Sequence, residues 1–156
     1  MASTTNLEIE KLSSADYVSV DPINNALDKL DKLGVDYVTE SGTSGEWWYR
    51  KWKSGRAECG IDYKSFGTVR LDSTWTGSWY SSSNLTFGNY PFTFSSRPYT
   101  SIKFLYDEVM GSGRISQVME GATTSTAKSP TFYIVDETSG ERKPYLGIYV
   151  MGYYKQ

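Results

Sequence analysis

Trp47-Trp48-Tyr49-Arg50-Lys51-Trp52-Lys53-Ser54-Gly55-Arg56-Ala57-Glu58-Cys59-Gly60 reads as two short strands joined by a turn at Lys53 to Gly55. Alternate side chains of an extended chain point to opposite faces. Trp48, Arg50 and Trp52 therefore share one face, and Trp47, Tyr49 and Lys51 the other. Three indoles so close together are costly to leave in water, so at least one face must be covered. The hairpin is expected to be structural, with Trp52 as a candidate core ring and Arg50 placed to stack on an indole.

Outward from this hairpin the chain continues to read as β-structure. Val35 to Glu40 is a candidate strand, and Ser41 to Glu46 a Gly/Ser/Thr turn cluster. A short strand is expected near Thr68 to Asp72. Residues 73–98 mix Ser, Thr, Gly and Asn with interleaved aromatics and read as loops with short strands. Firmer strands are expected at 100–110 and 114–119, turning at Gly111-Ser112-Gly113, and at 131–136 and 145–154, joined through Ser139-Gly140.

The last strand carries Leu146, Ile148 and Val150 on one face and Tyr145, Tyr149, Met151 and Tyr153 on the other. A strand exposed on one side would have a polar second face. This one is expected to be covered twice: by core on the aliphatic face, and by a second layer or a subunit contact on the aromatic face.

The N-terminal segment has a different character. Residues 1–21 are polar with scattered apolar positions. Asp21-Pro22 then gives a helix start, a capping carboxylate followed by Pro at the first helical position. The helix is expected to run to about Leu33, with Gly34 as its C-terminal stop. Ile23, Ala26, Leu30 and Leu33 fall at heptad positions, and Leu27 widens the stripe. A helix of roughly twelve residues is marginal alone in water, so it must dock on its own domain or on copies of itself.

Composition excludes several kinds of chemistry. The formal charge of −2 gives no basic field for nucleic acid. No apolar run approaches the ~20 residues needed to span a bilayer. The start, Met1-Ala2-Ser3-Thr4-Thr5-Asn6, lacks the basic and apolar regions of a signal peptide, so synthesis without export by the usual route is expected. The chain has no His and a single Cys. Zn sites of the usual kinds and a His-activated thiol are therefore out of reach, and Cys59 reads as a small buried apolar residue. No phosphate-binding Gly-rich motif is present. The scattered carboxylates, Glu40, Glu46, Glu58, Asp62 and Asp107-Glu108, form no recognisable hydrolytic pair. No enzyme activity, metal or cofactor is expected.

Aromatic rings set among small polar residues are a better lead. Sugar rings present apolar C–H faces that stack on Trp and Tyr, while their hydroxyls need polar partners. Thr74 to Asn84 offers both on an expected loop. Trp75 and Trp79 are the sharp candidates, with Tyr80, Asn84 and Tyr90 beside them; the alternative is that both indoles cap the core.

Two regions carry a family likeness. Thr4-Thr5-Asn6-Leu7, Asp16-Tyr17-Val18 and Pro22 to Asp31 form the first. The second is Tyr37 to Gly60, especially Ser44-Gly45, Trp47, Tyr49-Arg50-Lys51-Trp52, Ser54-Gly55 and Glu58-Cys59. The chain resembles small tail-fibre or baseplate proteins of phages and prophages of Gram-positive bacteria. The likeness is dense over about 1–62, looser at 131–155 and weak between. It departs at Gly60, where the family pattern commonly has a further Trp.

The resemblance implies a mainly β protein in two parts. Residues 1–36 would be an attachment segment with a short oligomerisation helix. Residues 37–156 would be an antiparallel β-sandwich or barrel-like head. It further implies a non-enzymatic virion tail protein, made in the bacterial host cytoplasm, that assembles as a homotrimer with other tail or baseplate proteins. The expected partner is a host receptor or cell-wall saccharide, with no nucleic acid and no membrane insertion; the alternatives are a purely structural tail-tip component and a stand-alone carbohydrate-binding module. Three copies would meet through Ile23, Ala26, Leu27, Leu30 and Leu33, and through the aromatic face at Tyr149, Met151 and Tyr153.

Overall fold

The computed structural model describes residues 2–3, 10–11, 21–32, 36–109, 116–121 and 125–155. The chain divides into two compact units, 1–37 and 38–156. In the first, two short strands, β1 (Ala2–Ser3) and β2 (Glu10–Lys11), pair antiparallel, and helix α1 covers Asp21–Lys32. Ile23 and Leu27 are exposed, and Ala26 is half-buried. The Leu30 side chain, Leu33 and Gly34 lie outside the described residues.

The second unit is mainly β. Its strands are β3 (Val38–Ser44), β4 (Trp47–Trp52), β5 (Arg56–Ser65), β6 (Val69–Leu71), β7 (Ser73–Thr76), β8 (Trp79–Ser81) and β9 (Leu85–Thr86), followed by β10 (Tyr99–Asp107), β11 (Gln117–Glu120), β12 (Thr131–Asp136), β13 (Gly140–Arg142) and β14 (Pro144–Tyr153). A first antiparallel sheet has the order β10-β14-β5-β4-β3. A second has β11-β12-β8-β7, with β9 also on β12, and β13 pairs β6 separately.

The decisive hairpin forms with its turn at Lys53 to Gly55. Gly55 takes a φ of 87°, which favours glycine, and its N–H donates to Trp52 O at 3.0 Å. Alternation sorts the sheet cleanly. Trp47 on β4, Ala57, Cys59 and Ile61 on β5, and Leu146, Ile148 and Val150 on β14 are buried. They join Phe132 and Ile134 of the second sheet, Val69 and Leu71 of β6, and the loop rings Phe87, Tyr90 and Phe94 in one core. Two antiparallel sheets sharing one core are consistent with a β-sandwich.

The covered face of the hairpin is therefore that of Trp47, and Trp52 is only half-buried on the opposite face. The reason is pairing. Tyr49 stands opposite Cys59, and Cys59 opposite Val150, so the small and aliphatic residues of β5 and β14 fix which side is core.

Three expectations are corrected by long-range pairing. Ser41 to Ser44 is strand, paired with Trp47 to Arg50, and only Gly45 and Glu46 turn. β10 and β11 do not form a hairpin, because β10 pairs β14 and β11 pairs β12. β12 and β14 lie in different sheets, and Ser139-Gly140 leads into β13 instead. Gly111-Ser112-Gly113 lies outside the described residues.

One buried ionic cluster closes the core at the end of β12. The Arg142 guanidinium lies 3.2 Å from Asp136 and 4.0 Å from Asp107, all three side chains being nearly inaccessible. Ser116 Oγ donates to Asp136 at 2.9 Å, and the Thr138 N–H and hydroxyl donate at 3.0 Å each. Burial alone would raise the Asp136 carboxyl. The hydrogen bonds from Thr138 and Ser116, with the Arg142 charge, outweigh it and hold the group below the usual range.

Candidate functional site

The outer face of the first sheet carries two groups of rings. Its first row runs Trp48, Gly60, Tyr149 and Ser101 across four strands. The second runs Arg50, Glu58, Met151 and Tyr99. Trp48 and Tyr149 have centroids 6.1 Å apart, with the intervening Gly60 leaving room for the indole. Trp48 Nε1 donates to Asp62 Oδ1 at 2.9 Å.

Beside them three tyrosines group together. Tyr106 stacks on Tyr145 at 4.5 Å and 15°, and Tyr63 on Tyr145 at 4.7 Å and 28°. Tyr63 and Tyr106 remain 53% and 44% exposed. Their orientation is fixed by polar contacts at the ring tips. The Tyr63 and Tyr106 hydroxyls bond to each other, and Tyr145 OH donates to Glu108 Oε1 at 2.6 Å. Tyr149 OH donates to Glu58, which also lies 3.7 Å from Arg50.

The Tyr63, Tyr145 and Tyr149 phenols are held protonated. The hydrogen bond with Tyr106 pushes Tyr63 up, and the bond to Glu108 does the same for Tyr145. Burial, then the bond to Glu58, raises Tyr149. With these hydroxyls bonded within the face, what it presents outward is flat apolar ring surface, suited to stacking.

The residues singled out from Thr74 to Tyr90 are scattered. Trp75 is 40% exposed on the second sheet, its Nε1 donating to Tyr133 OH at 3.2 Å and its ring 6.1 Å from that of Tyr133. Trp79 and Tyr80 are half-buried, Tyr80 packing against the core, and Asn84 is exposed. Tyr90 is in the core, 6% exposed, edge-on to Trp47 at 5.6 Å and to Phe94 at 5.4 Å. It is a core ring and not a surface platform: the Tyr90 and Phe94 N–H groups donate to Ala127 O and Thr126 O at 2.9 Å each, and the loop so held packs the ring on Trp47 and Phe94.

Tyr63, Tyr106 and, of the groove described below, Arg56, Ser96, Arg97 and Gly152 were not singled out from the sequence; Met151 and Tyr153 were, as a subunit contact. The aromatic face of the last strand was the visible signal. What it lacked was the pairing that brings β5 and β10 to either side of β14.

Cys59 is fully buried, and burial, then the Glu58 charge, pushes its thiol up to about 12, leaving it inert. Among the described residues no cluster of three or more Cys, Asp or Glu could hold a metal ion, and no helix is long and apolar enough to cross a membrane.

Compared with known proteins, the chain matches no family model, no curated protein and no solved structure.

Proposed function

We propose that this protein is a non-enzymatic component of a phage or prophage tail, of the tail-fibre or baseplate kind, whose β unit binds a host-surface saccharide. The observation that carries the binding part is the exposed, pre-ordered aromatic face around Tyr63, Tyr106, Tyr145 and Tyr149. Such a face stacks on sugar C–H surfaces, and the exposed carboxylates of Glu108 and Asp62 beside it can accept from sugar hydroxyls. What supports the virion part is the sequence resemblance over 1–62 and 131–155.

A homotrimer through α1, which leaves the face of Tyr149, Met151 and Tyr153 open, is the second element of the reading. Ile23 and Leu27 stand exposed on α1, a helix too short to be stable by itself, and copies of the same stripe are its natural cover. Weak single-site binding would then gain avidity from three copies.

The test is retention on cell walls isolated from a panel of Gram-positive bacteria. Wild type should be retained on at least one, and a Tyr63→Ala/Tyr106→Ala variant of unchanged melting temperature should not. Retention on none points to a purely structural tail component. Loss in Trp75→Ala instead moves the site to the second sheet. Failure to co-sediment with induced prophage particles, with wall binding intact, points to a stand-alone carbohydrate-binding module.

A further inference from the structure

One end of the aromatic face is built into a groove by the loop after Phe94. Ser95 donates to Tyr153 O through its N–H at 2.7 Å and its hydroxyl at 2.9 Å. The loop lies so close that a Cβ added to Gly152 would stand 2.9 Å from Phe94 Cδ1 and 3.2 Å from Pro98 Cβ. This seating sets Ser96 and Arg97 beside the ends of β5 and β14. Arg56, Ser96, Arg97, Met151, Gly152 and Tyr153 line an open groove of about 490 Å³. That volume is in the range of small-molecule sites.

The charge in the groove is unbalanced. The Arg56 guanidinium sits 5.2 Å from the centre of the Trp52 ring, with Nη2 3.3 Å from Met151 Sδ. These contacts, with an electrostatic contact to the Tyr149 hydroxyl, orient the fork and leave it outside salt-bridge distance of a described carboxylate. Among the described residues neither Arg56 nor Arg97 has a carboxylate within salt-bridge distance, whereas Arg50 and Arg142 do. Glu58, cross-strand from Met151, is already engaged by Tyr149 and Arg50. Among the described residues, two guanidiniums without an ion pair therefore line one groove of a chain whose net charge is negative. The planar fork matches a carboxylate or phosphate, and the exposed Tyr153 ring at the rim gives a stacking surface beside it.

We infer that this groove takes the acidic group of a charged saccharide, a carboxylate or a phosphate ester, with Arg56 and Arg97 as its ion partners. The inference rests on the saccharide-binding reading of the adjoining face and names the class of sugar.

The test is amide chemical-shift titration of the full chain with glucose 6-phosphate, glucuronate, glucose and inorganic phosphate. At least one acidic sugar should shift Arg56, Ser96, Arg97 and Gly152 and bind about tenfold more tightly than glucose and than inorganic phosphate. Which acidic sugar does so separates phosphate ester from carboxylate. Arg56→Gln and Arg97→Gln should each lose about tenfold, Arg56→Lys less, and Arg70→Gln nothing. Acidic sugars that bind no better than glucose, or that shift residues elsewhere, overturn the inference. So does inorganic phosphate binding as tightly as the acidic sugars. The wild-type shift map decides the matter even if a variant fails to fold. Retention on cell walls with no preference for acidic sugars would remove this inference and leave the saccharide reading standing. Acidic-sugar binding in the groove without wall retention would keep the groove site and remove the host-wall part of the proposed function.

Discussion

The Trp48 indole lies directly over Gly60 of the neighbouring strand, where an added Cβ would stand 2.7 Å from Trp48 Cζ2 and 2.7 Å from Ile148 O. The glycine is thus a seat for the ring, which bridges it toward Tyr149. Gly60→Ala must displace either the indole or the β5–β14 pairing. We expect a loss of about 1–3 kcal/mol, measured by chemical denaturation. A neutral substitution would mean that Trp48 is not seated there.

The two ends of β4 are predicted to differ sharply. Trp47 is buried against Tyr90, so Trp47→Ala should cost about 3–5 kcal/mol. Trp52 is half-buried under Arg56, and Trp52→Ala should cost only about 1 kcal/mol. Equal losses in thermal or denaturant melts would contradict the assignment of the core face.

Acid stability should depend on Asp136. Its carboxyl is held below the ordinary value in the folded protein, so the unfolded chain takes up the proton first as pH falls. The stabilisation is complete above the unfolded value of about 4 and is lost as pH drops through the folded one. Asp136→Asn should cost about 3–5 kcal/mol at neutral pH, by leaving Arg142 short of a partner, and should flatten the acid limb of the stability curve. Denaturation midpoints from neutral pH to pH of about 2 would measure both effects.

Assembly is predicted to run through α1. Light scattering at tens of micromolar should give a trimer, and Leu27→Asp should shift it toward monomer by placing carboxylates in an apolar contact. A monomeric wild type at that concentration would remove the trimer from the account.

Legibility in the sequence followed distance along the chain. The hairpin at Trp47 to Gly60 and the alternation of β14 were readable because a strand writes its two faces locally. β3 is longer than expected because Ser41 to Ser44 is polar and exposed, part of an edge strand held by pairing with β4 and not by burial. The assignment of β10, β11, β12 and β14 to sheets depends on partners far away in sequence, which local turn signals misdirect. The aromatic face was half visible: Tyr145 to Tyr153 announced it, but Tyr63 and Tyr106 join it only through β5 and β10. Tyr90 misled because a ring in a polar loop gives no sign that the loop folds back onto the core.

The central claim is that the aromatic face of the first sheet holds saccharide. The most direct measurement is chemical-shift mapping of the full chain with a soluble cell-wall saccharide fraction that the wild type retains. The account predicts shifts concentrated at Tyr63, Tyr106, Tyr145, Tyr149 and their strand neighbours. Shifts confined to Trp75 and Tyr133, or absent from the first sheet, would contradict it.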